Sequence, residues 1–221
     1  MTRKELALCT NEALKQLYPD AVCSLQADEP YRLLMATRLS AQCTDARVNL
    51  VTRELFAQYP TLISIAQAEL ADLEKCIRSC GLYKTKARDL KAMAQQLLTR
   101  FNGQVPDTLE QLITLPGVGR KTANLILGDV YGKPAVVVDT HCIRISGRIG
   151  LTAQHDPEKI EMELKRLLPP EDSSDFCHRI VLHGRALCTA RAPKCDRCPL
   201  SSFCKYAKAQ QRSAKSRQRD T

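Results

Sequence analysis

Cys188, Cys195, Cys198 and Cys204 are separated by six, two and five residues in a polar stretch near the C-terminus, and this spacing constrains the chain more than any other feature. Four thiols packed among Arg185, Arg191, Lys194 and Arg197 do not form a hydrophobic core. They are metal ligands or disulfide partners. The other seven of the eleven cysteines (Cys9, Cys23, Cys43, Cys76, Cys80, Cys142 and Cys177) are scattered through helix-like segments without paired spacing. That distribution reads as reduced, buried thiols in a reducing compartment, where the C-terminal four bind metal. Zinc and a [4Fe-4S] cluster both fit the ligand type. A common zinc pattern has two Cys-x-x-Cys knuckles, whereas here one knuckle is flanked by single cysteines, which favours iron and sulfur. Such a centre would staple a loop whose basic residues face phosphates.

Helical periodicity governs the rest. Leu33, Leu34, Ala36 and Thr37 follow Pro30, and Val48, Val51 and Leu55 follow Thr44, at steps of three and four. The chain is expected to be all-α, with helices near 30–39, 44–58, 69–79, 84–101, 108–114, 120–131, 140–149, 157–168 and 173–186. Pro30 suits a first helical turn, Gly81 and Gly103 suit C-terminal caps, and Asp107 with Glu110 resembles a capping box. Lys133-Pro134-Ala135-Val136-Val137-Val138 favours extended chain, read as a buried linker in preference to a short strand.

At 221 residues the chain suffices for one domain or two small lobes. No apolar run approaches the roughly 18 residues that span a bilayer, so no membrane role is expected. The N-terminus mixes charges into its apolar residues and lacks the h-region of an export signal, which predicts a cytoplasmic protein. Net charge is +9, and residues 205–221 hold six Lys or Arg against one Asp. The body is therefore only mildly basic, and residues 209–221 read as a disordered basic tail.

Leu112 to Ala123, with Gly117-Val118-Gly119 at its centre, reads as a helix end, a tight turn and a new helix start. Glycines let the backbone approach a phosphate, and free N–H groups at a helix N-terminus point at it. A lone Gly-x-Gly between helices is also an ordinary αα turn. Lys121 opens the second helix, where the positive dipole end and any burial favour a neutral, nucleophilic amine. Asp139 ends the valine run and opens the next helix; it is an N-cap, a functional carboxylate, or both.

In order along the chain come Leu39-Ser40-Ala41-Gln42 with Thr44-Asp45, Gly81-Leu82-Tyr83, Leu115 to Ala123, Val138-Asp139-Thr140-His141, Leu182-His183-Gly184-Arg185 and the cysteine spacing. Together they resemble the endonuclease III family of helix-hairpin-helix DNA glycosylases over most of the chain. The resemblance implies two helical lobes with a DNA-binding cleft between them: a six-helix barrel over about 22–132, and a [4Fe-4S] lobe built from 1–21 and 133–208. It implies excision of damaged pyrimidines from duplex DNA and strand cleavage at abasic sites through a lysine Schiff base. By similarity Lys121 and Asp139 are catalytic, and Cys188, Cys195, Cys198 and Cys204 hold the cluster. Gln42, Leu82, Gly117, Val118, Gly119, Arg120, Thr122 and Arg144 contact DNA, with Gln42 and Leu82 as wedges, and Asp45 and His141 line the pocket. A monomer is the default.

Adenine glycosylases share the cysteine cluster but usually lack the lysine and carry Gly-Asn where this chain has Thr140-His141. A thymine-mismatch glycosylase is harder to separate. A non-enzymatic DNA-binding or redox module would also use the hairpin, the tail and the four cysteines, but would not need Lys121 and Asp139. Cys43 beside the wedge glutamine and Gly128 within the second hairpin helix depart from the family pattern.

Overall fold

Thr2, Thr44, Thr61, Thr108, Asp139 and Asp156 each accept a backbone N–H at a helix start. Each satisfies one of the donors that a helix N-terminus leaves unpaired. The structure, a computed structural model, describes residues 1–217. Among the described residues all regular structure is helical, and no helix is long and apolar enough to cross a membrane. Contacts divide the chain into two compact units, Met1–Val22 with the chain from Lys133 onward, and Cys23–Gly132.

The first unit begins with α1 (Arg3–Leu17), which buries Ala7, Thr10, Asn11 and Leu14. The chain then builds the whole of the second unit. Its helices are α2 (Pro30–Leu39), α3 (Asp45–Gln58), α4 (Leu62–Gln67), α5 (Leu70–Cys76), α6 (Tyr83–Phe101), α7 (Leu109–Leu112) and α8 (Arg120–Asp129), with a single 3-10 turn at Arg78–Cys80. α2 starts with Pro30 in its first turn and is buried along nearly its whole length, which makes it the spine of this unit. α6 lays Ala87, Leu90, Met93, Ala94 and Leu97 along one face, against α4 and α5. α8 packs on α2 and α7.

Two local expectations are corrected. The short helix α4 lies where the sequence reads as loop; Thr61 and Ser64 close a capping box around a run too short to show periodicity. α7 is capped by Thr108, whose hydroxyl accepts the Gln111 N–H, rather than by Asp107.

Back in the first unit, Ala135 to Val138 are buried without forming a strand. The segment has no ladder partner because a helix satisfies it. α11 (Ser173–Ala186) offers Ser173 and Cys177, one turn apart, and these accept the Ala135 and Val137 N–H groups at 3.1 and 3.2 Å. α9 (Thr140–Ile149) packs against α11, and α1 packs on α11 and on α10 (Pro157–Leu167). Gly184 makes the first of these approaches possible: a Cβ there would collide with His141, Ile145 and Arg144. The closing helix α12 runs Lys205–Arg217, where disorder was expected from 209 onward. Cys204 and Ala207 anchor its start in the core, and Ala, Gln, Lys and Arg carry it forward as good helix formers. Residues 218–221 of the expected tail lie outside the described residues.

Candidate functional site

The turn between α7 and α8 is held from beneath. Leu115 and Val118 are buried, and the Val118 N–H donates to the Leu115 carbonyl at 3.1 Å. Gly117 sits at φ +73°, and a Cβ there would run into Arg38 and Asp89. Those two form an ion pair between α2 and α6, with Arg38 Nε 2.7 Å from Asp89 Oδ2. The glycine thus answers two demands, a left-handed backbone and contact with a charged pair. Gly119 is the N-cap of α8 and provides no side chain, so no cap hydrogen bond closes that helix start.

Lys121 stands in the first turn of α8 and is exposed. Arg120 and Thr122 flank it and are partly exposed. Asp139 is the N-cap of α9, and its Oδ1 accepts the Cys142 N–H at 2.7 Å. The two readings of this residue are therefore compatible, because capping occupies one oxygen of a half-buried carboxylate. Asp45, in the first turn of α3, accepts from Ser24 Oγ at 2.6 Å.

Gln42 and Leu82 share an unusual backbone. They are left-handed at φ 57° and 49°, and among the described non-glycine residues only Asn102, a helix C-cap, does the same. Leu82 is also 56% exposed. Left-handed conformations cost a non-glycine residue about 1–2 kcal/mol, so something must enforce them. Lys86 does so. Its side chain is fully buried, and Nζ donates to the carbonyls of Leu39, Ala41 and Cys80 at 2.8, 2.7 and 2.9 Å. One ammonium thereby ties together the two segments that lead into Gln42 and Leu82. Burial pushes the Lys86 amine below its ordinary range, and the neighbouring Cys80 and Cys43 oppose that shift. The sequence gives no sign of this role, because Lys86 lies in a charged helical stretch that reads as surface.

The four C-terminal cysteines ring one pocket, whose other walls include Ile145, Leu187, Leu200 and Ala207. Among the described residues no three His, Cys, Asp or Glu converge closely enough to hold a single ion. A polynuclear core, whose ligands stand further apart than those of one zinc, fits this spacing and apolar shell. Burial, then the neighbouring cysteines, raises the Cys195 thiol. Burial likewise leads for Cys198. Binding a metal requires such thiols to give up their protons. Two arginines of α9 brace the loop. Arg148 donates to the carbonyls of Thr189 and Ala190 at 2.7 and 2.8 Å, approaches Cys188 Sγ at 3.4 Å, and lies over the Tyr206 ring. Arg144, expected on DNA, spends Nε and an Nη on the Cys188 carbonyl at 3.3 and 3.1 Å and contacts His141 Nδ1 at 3.1 Å. His183, buried beneath the loop, places Nε2 3.6 Å from Cys198 Sγ; burial lowers it to about 4, so its ring is neutral at pH 7.

Residues 35–170 match the family model of the HhH-GPD superfamily base excision DNA repair proteins, and residues 188–204 match that of the iron-sulfur binding domain of endonuclease III. The chain belongs to the endonuclease III family. It is 46% identical to an endonuclease III from Synechocystis sp. over 89% of this chain and 90% of that one. It is 36% identical to the Escherichia coli K12 protein of that name over 92% and 95%. A trapped endonuclease III–DNA covalent intermediate is 40% identical and superposes with a TM-score of 0.89, covering 96% of this chain and 99% of that one. A thermostable thymine-DNA glycosylase superposes at 0.85 but is 22% identical, which speaks to the fold alone. As an endonuclease III, the protein is a base-excision-repair DNA glycosylase for damaged pyrimidines in duplex DNA, with AP lyase activity, and its cofactor is a [4Fe-4S] cluster.

Proposed function

We propose that Lys121 is the nucleophile of this glycosylase and lyase, that Asp139 is its proton-transfer partner, and that Cys188, Cys195, Cys198 and Cys204 hold the cluster. The observation that carries the reading is the state of the two groups. Lys121 extends from a helix start whose N–H groups have no side-chain cap, and Asp139 has committed only Oδ1.

The extruded nucleotide presents C1′ to the Lys121 amine. Nζ forms the bond, its proton passes to Asp139, and the C1′–base bond breaks with the electron pair leaving on the base. Ring opening gives a C1′ iminium, loss of a C2′ proton follows, and the 3′ phosphate departs. The N–H groups of Gly117 and Gly119 would take a backbone phosphate, with Val118, Arg120 and Thr122 alongside. Gln42 and Leu82 would fill the gap in the duplex, and Asp45 and His141 would line the base pocket. The cluster supplies a rigid anchor for a basic loop rather than a reacting atom. Seven further cysteines without a disulfide suit the cytoplasm.

Borohydride trapping on a duplex bearing one thymine glycol tests the assignment. Wild type is expected to form a covalent adduct that Lys121→Gln does not. Equal trapping by the variant would remove Lys121 from the role. Asp139→Asn separates the two duties of Asp139, since asparagine caps helices as well as aspartate does. Turnover should fall about 10²–10⁴-fold while the melting temperature stays nearly unchanged.

A further inference from the structure

Gln42 and Leu82 hold a backbone that residues with side chains disfavour, and they hold it while exposed. Asn102 is the contrast, since it closes α6 just ahead of Gly103, an ordinary place for a left-handed residue. Gln42 instead lies in a turn where the Cys43 N–H donates to the Ser40 carbonyl at 3.0 Å, and Leu82 is the N-cap of α6 without a side-chain cap bond. Two unlike local structures thus share one strained conformation. They also share one partner. The Lys86 main-chain N–H donates to the Leu82 carbonyl at 3.0 Å, and its Nζ donates to Leu39 and Ala41 on one segment and to Cys80 on the other. An ammonium has three protons, and these three carbonyls use them all. Three residues further along the same face of α6, Asp89 pairs with Arg38, which adjoins Leu39 and lies under Gly117.

We propose that Lys86 is a positioning residue for nucleotide extrusion, holding Gln42 and Leu82 in their left-handed conformations before DNA arrives so that both side chains enter the duplex from a preset backbone. The inference rests on the reading of Gln42 and Leu82 as wedge residues. Lys86 is fully buried and donates every ammonium proton within the protein, so it acts through the backbone it holds.

The physical gain is one of timing. Unstacking a nucleotide costs free energy, and a segment that had to become strained and ordered on the DNA would add its own cost at the same step. Here that cost is met when the protein folds. Without the ammonium, three carbonyls lose their donor and both residues relax toward negative φ, which carries their side chains away from the preset direction.

The test compares wild type with Lys86→Met, both loaded with the cluster, on two duplexes. Methionine nearly keeps the length and removes the donors. One duplex carries a thymine glycol beside 2-aminopurine, whose fluorescence rises as its neighbour leaves the stack. The other carries an abasic site, with no base to unpair, and borohydride trapping on it counts competent active sites. Lys86→Met is expected to slow single-turnover excision of thymine glycol about tenfold and to shrink the fluorescence rise, while trapping falls no more than about twofold. A lysine that only held the fold together would lower both alike, and that result overturns the proposal. In a Gln42→Ala, Leu82→Ala background the same change should cost less than about twofold, because the groups it positions are gone. A full tenfold cost there overturns it too. If Lys86→Met does not fold, nitrogen NMR of the wild-type Lys86 ammonium decides. Its protons are expected to resist solvent exchange and to keep their shift when a tetrahydrofuran abasic duplex is added. Exchange as fast as at exposed Lys84, or a tie that forms only on DNA, overturns the proposal. The wedge reading fails separately, when the Gln42→Ala, Leu82→Ala protein excises as fast as wild type; a slow Lys86→Met would then act by another route.

Discussion

The hairpin turn at 113–119 and the cysteine loop at 187–204 both present backbone and basic side chains outside long helices, yet they are held by different means. The turn is fixed by its own protein: buried Leu115 and Val118, a left-handed Gly117 and the Arg38–Asp89 pair beneath it. The loop has two short 3-10 turns, Cys195–Arg197 and Pro199–Ser202, and few buried side chains of its own. It depends on Arg144 and Arg148 for its carbonyls and on the [4Fe-4S] cluster. A stretch too polar to form a core must borrow its rigidity, and here it borrows from an inorganic centre.

Removing that centre should produce the largest separation between the two regions. Cys198→Ser is expected to lose absorbance near 400 nm, to become sensitive to trypsin at Arg191, Lys194 and Arg197, and to lose on the order of a hundredfold in lesion nicking. Hydrogen exchange across 113–129 should remain slow in the same protein. Fast exchange in both regions would show that the turn also leans on the cluster, and the contrast would fall.

Gly117→Ala is the reciprocal change. A left-handed alanine costs about 1–2 kcal/mol, and the clash with Arg38 and Asp89 adds about 1–3. The expected loss is on the order of 3 kcal/mol by urea unfolding of the second unit, with the cluster absorbance intact. Gly184→Ala should act in the other unit and cost somewhat less, about 1–3 kcal/mol, because helical alanine is itself favourable and the strain comes only from crowding His141, Ile145 and Arg144. A Gly184→Ala protein with unchanged stability and cluster content would show that α9 and α11 have slack.

These contrasts also explain what the sequence reveals. The long helices are legible because their apolar spacing and caps agree, as at Pro30 and Thr44. Asp139 is legible as a cap because it ends a valine run. The hairpin glycines and the cysteine spacing are legible because each is demanded locally, by a left-handed turn or by a set of ligands. Lys86 is hidden, since its three carbonyl partners come from segments 39–41 and 80, brought together only by folding. Arg148 is hidden for the same reason. Arg144, read as a DNA contact, also braces the cysteine loop through the Cys188 carbonyl, a partner that only folding brings to it. Cys9, read as buried, is exposed, because α1 turns that face outward. Residues 209–217 of α12 read as tail because the helix's anchors, Cys204 and Ala207, are too few to register as a periodic stripe.

The smallest predicted effect concerns the platform under the loop. Asp172 accepts from Asn11 at 2.8 Å and pairs with Lys15 at 2.6 Å, joining the N-terminus of α11 to α1. Burial alone would raise its carboxyl, but the bonds from Lys15 and Asn11 and the charges of Lys15 and Arg179 outweigh it and hold the group below its ordinary value of 3.8. A carboxyl lowered in the folded state contributes stability that is complete above its unfolded value and fades as pH falls through the folded one. Asp172→Asn should therefore cost about 0.5–1 kcal/mol at pH 7 for a partly exposed ion pair, and the gap from wild type should narrow below about pH 4. Paired urea titrations across that range read the difference directly. A gap that ignores pH would assign Asp172 to shape at the start of α11 rather than to charge, and the brace between α1 and α11 would then rest on its apolar contacts alone.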